Sequence, residues 1–144
     1  MNVPGITGID HVGIAVADLD EALEFYEQVF GLTCVHTETN EAQGVREAML
    51  RVGDDPAGPR LQLLAPLTPD SPIAKFLGRR GPGIQQIAYA VSDVRATAEA
   101  LAGRGVRMLY PEPRTGTAGS AVNFVHPKDA GGVLVELVEP ASAR

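Results

Sequence analysis

A chain of 144 residues with 44% hydrophobic and 21% charged content has one domain's length and a globular composition, which excludes disordered and fibrous classes and allows a real core. Net charge −6 argues against nonspecific nucleic-acid binding. No run approaches the ~20 apolar residues of a membrane span and no signal-peptide pattern opens the chain, so a cytoplasmic protein is expected, away from membranes and nucleic acid.

Gly8 to Val16 reads as a strand buried on at least one face. Asp18 then caps a helix, with Glu21 giving a capping-box-like start, and Leu19, Ala22, Leu23, Tyr26, Val29 and Phe30 form one apolar stripe that Gly31 stops. Strands are predicted near Thr33–Thr37, Val45–Val52 and Arg60–Ala65, the last two joined by the turn-forming stretch Gly53 to Pro59. Cys34 is the sole cysteine, agrees with a reducing compartment and reads as a core residue. A Pro- and Gly-rich linker, Leu67 to Gly83, holds a short helical piece over Ile73–Leu77. A second strand from Gly83 to Val91 leads into a helix from Asp93 to Gly103. Strands follow near Val106–Leu109, Ala121–Val125 and Val133–Val138, and the polar loop Glu112–Gly119 reads as mobile.

The second half repeats the first. With Val16 set on Val91, His11 falls on Gln86, and a capping Asp follows each strand, Asp18 and Asp93. Gln62 and Glu136 then match within the last strand of each copy. The fold class is therefore α+β, two βαβββ modules forming one curved eight-stranded mixed sheet with an open cleft. Residues 1–144 make a single domain, with 8–66 as the first module, 67–82 as the linker and 83–139 as the second.

The repeat sends His11, Gln62, Gln86 and Glu136 to matching places. A buried carboxylate such as Glu136, within Val133 to Val138, needs a partner, and a metal ion is one that fits. One imidazole, two amide oxygens and a carboxylate suit Mn²⁺, Co²⁺, Fe²⁺ or Mg²⁺ better than structural zinc, with Zn²⁺ still compatible, and they leave positions open to water or substrate. Charge adds a second cue. Residues 1–45 carry eight acids and no Lys or Arg, so an anionic ligand is expected to meet the later part of the chain, where Lys75, Arg79 and Arg80 surround a Gly-rich turn and Lys128 follows.

The runs Ile9 to Val16, Asn40 to Leu50, Ile73 to Leu77, and His126 to Asp129 with Gly132 to Leu137 closely resemble methylmalonyl-CoA epimerases of the vicinal oxygen chelate (VOC) superfamily, also called the glyoxalase fold. The resemblance covers nearly the whole chain and implies the paired βαβββ fold. By it, His11, Gln62 and Glu136 match family metal ligands, while Gln86 stands where many members have a second histidine. It further implies interconversion of the 2R and 2S forms of methylmalonyl-CoA, in propionate metabolism, by removal and return of the C2 proton through a metal-stabilised enolate. Glu47 matches a family catalytic glutamate, with Glu136 as the second base. Lys75, Arg79, Arg80 and Lys128 are candidates for the coenzyme A charges, and Ser120 or Asn123 for the acyl group. A homodimer is implied.

Two other readings compete. One is a different VOC metalloenzyme, such as a glyoxalase-type isomerase. An extradiol dioxygenase is disfavoured, since His36 and His126 lack the strand symmetry of His11. The other is a non-catalytic protein that binds small molecules in the same cleft, against which the buried Glu136 speaks.

Overall fold

The computed structural model describes residues 5–141. Its elements run β1 (Ile6–Ala15), α1 (Leu19–Phe30), β2 (Thr33–Asn40), β3 (Val45–Arg51), β4 (Arg60–Pro66), α2 (Pro72–Arg80), β5 (Gly83–Val91), α3 (Val94–Ala102), β6 (Arg114–Thr115), β7 (Ala121–Val125) and β8 (Val135–Glu139). The strands form an eight-stranded mixed sheet in the order β2-β3-β4-β1-β5-β8-β7-β6. Among the described residues no helix is long and apolar enough to cross a membrane. The chain divides into two compact units, His11–Gln85 and the segment to Asp10 with Gln86 onward, so that β1 gives its first half to one and its second half to the other.

In the His11–Gln85 unit, β4 pairs parallel with β1 and antiparallel with β3, which pairs antiparallel with β2. Because side chains alternate along a strand, this sheet has two distinct faces. One is covered by α1: Leu19 joins Val16, Ala48, Leu50, Leu63 and Ala65. On the other, Ile73 and Phe76 of α2 pack with Ala15, Val45 and Leu64.

Local chemistry sets the helix ends. Asp18 Oδ1 accepts the Glu21 backbone N–H at 3.0 Å, and Gly31, at φ 68°, closes α1 in the left-handed region that glycine tolerates. Ser71 Oγ caps α2 by accepting from Ala74 N at 3.1 Å, with Pro72 in its first turn. The apolar stripe of α1 is shorter than expected. Val29 and Phe30 are 60% and 59% exposed; Phe30 packs on Phe25 and Tyr26, with ring centroids 5.5 and 5.7 Å apart. Cys34 is half-buried at the edge of the α1 core rather than inside it.

In the other unit β5 pairs parallel with β8, which pairs antiparallel with β7. The first half of β1 lies beside β5, where Thr7 Oγ1 donates to the Ala90 carbonyl at 3.3 Å. Asp93 caps α3 by accepting from Ala96 N at 3.0 Å, as its counterpart does in α1. The helix packs Val94 and Leu101 against Val91 and Leu137.

The expected strand over Val106–Leu109 is reduced to a short pairing with the end of β7: Met108 bridges Val125, Leu109 N donates to the Phe124 carbonyl at 2.8 Å and His126 N to the Arg107 carbonyl at 2.9 Å, and β6 forms beyond it at Arg114–Thr115. Proline at 111 and 113, which has no N–H to give a ladder, interrupts the edge between these two pieces. The loop read as mobile, Glu112–Gly119, accordingly holds β6 and a 3₁₀ turn at Thr117–Gly119.

Candidate active site

The His11–Gln85 unit carries three buried polar side chains on one face. His11, Glu47 and Gln62 are 3%, 4% and 3% exposed. Register explains their common face. Gly13 lies beside Gln62 and Met49 beside Gln62 on the other flank, while Glu47 lies beside Leu64. His11, two residues before Gly13, and Glu47, two before Met49, therefore share the face of Gln62. The contact is direct: Gln62 Nε2 donates to Glu47 Oε2 at 3.1 Å. Leu64, Val45, Ile73 and Phe76 of the α2 cluster lie on the same face and give this carboxylate apolar walls. Beyond it on β2, Glu38 pairs in register with Glu47 and takes a 2.6 Å hydrogen bond from His36 Nε2.

The second unit has an analogous pair. Gln86 and Glu136 are each 7% exposed, and Gln86 Nε2 donates to Glu136 Oε1 at 2.8 Å. Ala88 lies beside Glu136, as Gly13 lies beside Gln62 in the first unit, so the register of the repeat is kept. Ala88, Val122 and Val138 form the small apolar cluster next to this pair, and Phe124 is the register partner of Glu136.

Asn123 does not share that face. It pairs with Leu137, which points into the α3 core, and its amide is taken up locally: Oδ1 accepts from Tyr110 N (3.2 Å) and Phe124 N (2.8 Å), and Nδ2 donates to the Tyr110 carbonyl (3.0 Å). Asn123, expected with Ser120 as a candidate for the acyl group, thus lies on the Leu137 face with its amide engaged by backbone groups. Its role is to fix the segment around Tyr110, which walls a cavity of about 680 Å³ against α3. Ser120, 6% exposed, precedes β7 in extended conformation, two residues before Val122 on the Glu136 face.

Lys75, Arg79 and Arg80 are exposed on α2, the helix that covers the Glu47 face, and the Arg80 guanidinium lies 6.0 Å from the Phe76 ring centre. Lys128 is exposed in the 3₁₀ turn Pro127–Asp129. In that turn the Arg107 guanidinium grips Asp129, with Nε to Oδ2 at 2.8 Å, and its hydrogen bonds hold the Asp129 carboxyl down at about 2. A hydrogen bond from the Thr68 hydroxyl likewise lowers the Asp70 carboxyl from its usual range.

Among the described residues no group of three or more His, Cys, Asp or Glu side chains is placed to hold a metal ion. The expected donor set is of another kind, one imidazole, one carboxylate and two amides. Each amide turns its NH₂ toward a carboxylate, which makes the carbonyl oxygen the atom it can present to a cation. In that respect these donor types fit a divalent cation that accepts oxygen and imidazole ligands together. The sequence reading passed over Arg60, which lies two residues from Gln62 on the same face of β4 and is the register partner of His11.

Residues 10–124 match the Glyoxalase/Bleomycin resistance protein/Dioxygenase superfamily. The chain belongs to that superfamily. Among its solved members, methylmalonyl-CoA epimerase from Mycobacterium tuberculosis is 55% identical, with a TM-score of 0.93 over 99% of this chain and 94% of that one. A variant of the Streptomyces coelicolor methylmalonyl-CoA epimerase, in complex with 2-nitronate-propionyl-CoA, is 49% identical, with a TM-score of 0.91 over 95% of this chain and 99% of that one. The mitochondrial methylmalonyl-CoA epimerase of Homo sapiens is 37% identical over 130 residues, 90% of this chain and 72% of the human protein.

Proposed function

We propose that this chain is an enzyme that interconverts (2R)- and (2S)-methylmalonyl-CoA, an isomerase acting by C2 proton abstraction. The observation that carries the reading is two buried carboxylates, Glu47 and Glu136, each held by a glutamine amide, in a chain whose near-full-length relatives include several methylmalonyl-CoA epimerases. Inversion at C2 passes through a planar enolate and requires proton transfer at both faces, hence two acid–base groups.

Glu47 is assigned as one base. Gln62 fixes its carboxylate at one oxygen, leaving the group oriented, and the α2 cluster excludes water from its flank. Glu136 is assigned as the second, oriented in the same way by Gln86. His11, Gln62, Gln86 and Glu136 are assigned as the holders of a divalent cation, Co²⁺ or Mn²⁺ in preference to Zn²⁺ or Mg²⁺. Such a cation supplies charge stabilisation to the enolate oxygen. Coordination lowers the basicity of a carboxylate, which makes Glu47 the stronger base of the two.

Lys75, Arg79 and Arg80, on the helix beside the Glu47 face, are assigned to the negative charges of coenzyme A, with Lys128 as a further candidate and Ser120 as the residue for the acyl group. Residues 8–66 and 83–139 are taken as the two copies within a single domain, working as a cytoplasmic homodimer in propionate metabolism. Incubation with (2R)-methylmalonyl-CoA and a chiral assay of the product tests the reading. Approach to an equal mixture of epimers is expected, and a product that stays 2R refutes it.

A further inference from the structure

Glu47 is 4% exposed, and a proton that it takes from C2 must leave before the next molecule of the same epimer can be turned over. Val45, Leu64, Ile73 and Phe76 wall one side of it, and Gln62 meets one of its oxygens with an amide N–H, which takes up no proton. Its register partners are Leu64 on β4 and Glu38 on β2. Glu38 reaches this face because β2 is irregular. Cys34 pairs with Leu50 on the α1 side of the sheet, the register then shifts, and His36 pairs with Met49 and Glu38 with Glu47. Without that extra residue, alternation would turn His36 and Glu38 to the α1 side. The placement is one that stability disfavours, since directly opposed carboxylates repel, and a proton between them removes the repulsion. β2 is the last strand of the sheet, and on it His36 Nε2 lies 2.6 Å from Glu38 Oε1. The Glu38 and His36 side chains are 27% and 37% exposed, so burial falls outward from Glu47 through Glu38 to His36.

Resting on the epimerase reading, we infer that Glu38 and His36 carry the proton of Glu47 to solvent and so reset the base between turnovers. Directly opposed residues of an antiparallel pair have Cβ atoms about 5 Å apart, which lets a proton pass between two glutamate carboxyl groups directly or through one water. Protonated Glu47 gives its proton to the Glu38 carboxylate. Glu38 passes it to Nε2 of neutral His36, and the imidazolium gives its Nδ1 proton to water, leaving both glutamates ionised. The proton released balances the one that Glu136 regains from water after delivering its own to C2. In the reverse direction of the reaction the same path runs inward. Glu38 and His36 act on C2 only through Glu47, as relay residues.

Reset follows product release, so slowing it lowers kcat and KM together and leaves kcat/KM unchanged, which a merely structural defect does not do. The test follows epimerisation of (2R)-methylmalonyl-CoA by wild type, Glu38→Gln, Glu38→Ala and His36→Gln in weak buffer, with and without added formate. Glu38→Gln and Glu38→Ala are expected to lower kcat by about tenfold or more, with KM falling in step. His36→Gln is expected to lower both by less, because Glu38 is itself partly exposed. Formate fills the space of the missing carboxyl group and carries a proton, so it is expected to restore kcat in Glu38→Ala and to leave wild type unchanged. Wild-type kcat in Glu38→Gln, or a fall of kcat/KM in Glu38→Ala that formate does not reverse, overturns the relay alone. Failure of wild type to epimerise the ester overturns the epimerase reading together with this inference.

Discussion

Gln62 on β4 donates its amide N–H to Glu47 on β3 across 3.1 Å, with both side chains under 5% exposed. A glutamine in this position fixes one carboxylate oxygen. Glu47→Ala is expected to abolish racemisation, a fall in kcat of about 10²–10⁴, while bound metal is retained. Gln62→Leu should lower kcat less than this and weaken metal binding as well, since the amide has two assigned roles. Parallel kinetics and metal analysis of the two variants separate base from ligand; unchanged turnover in Glu47→Ala refutes the assigned base.

Gln86 donates to Glu136 at 2.8 Å, and the family resemblance sets it in the place of a second histidine ligand. Imidazole is the better donor to late transition metals. Gln86→His is therefore expected to tighten Co²⁺ or Zn²⁺ binding by about tenfold, the scale on which single changes around a metal act. Metal titration of wild type and variant checks this, and weaker binding in the variant would remove Gln86 from the proposed ligand set.

Incubation with a chelator followed by gel filtration is expected to remove racemase activity, and Mn²⁺ or Co²⁺ to restore it. Structure should persist through the treatment, because the sheet is held by its own apolar clusters and hydrogen bonds. Far-ultraviolet circular dichroism reads the fold and the chiral assay reads activity. Full activity in metal-free protein would contradict a metal role.

Arg107 holds the Asp129 carboxyl at about 2, against 3.8 for the unpaired group. A carboxyl depressed in the folded state contributes stability above its unfolded value and loses that contribution as pH falls through the folded one. Asp129→Asn is expected to be less stable than wild type at neutral pH, with the difference closing between about pH 4 and pH 2. Thermal unfolding across that range measures it.

Much of the fold was legible because strong local rules act at its ends and edges. Asp18 and Asp93 cap where their spacing predicted, Gly31 takes the left-handed stop, and β7 spans Ala121–Val125 as read. The β6 strand was missed because the apolar run Val106–Leu109, which does pair briefly with the end of β7, drew the strand to itself, while β6 forms from the polar residues after the two prolines. Alternation set Gln62 and Glu136 apart from their apolar neighbours, and the parity of Asn123 with Leu137 places Asn123 on the α3 side of the sheet. The Gln62–Glu47 and Gln86–Glu136 contacts were not legible, since they depend on register between strands far apart in sequence. Arg60 was hidden for a different reason. Its neighbours in sequence, Pro59 and Leu61, make it look like an ordinary surface arginine, and only the pairing of β4 with β1 places it beside His11.

The most direct test of the central claim is proton exchange at C2, followed by nuclear magnetic resonance in D₂O with (2R)-methylmalonyl-CoA as the only substrate. Loss of the C2 proton signal in step with appearance of the 2S epimer is predicted for wild type, with both processes suppressed in Glu47→Ala. A wild-type protein that leaves the C2 proton in place while binding the ester would contradict the account.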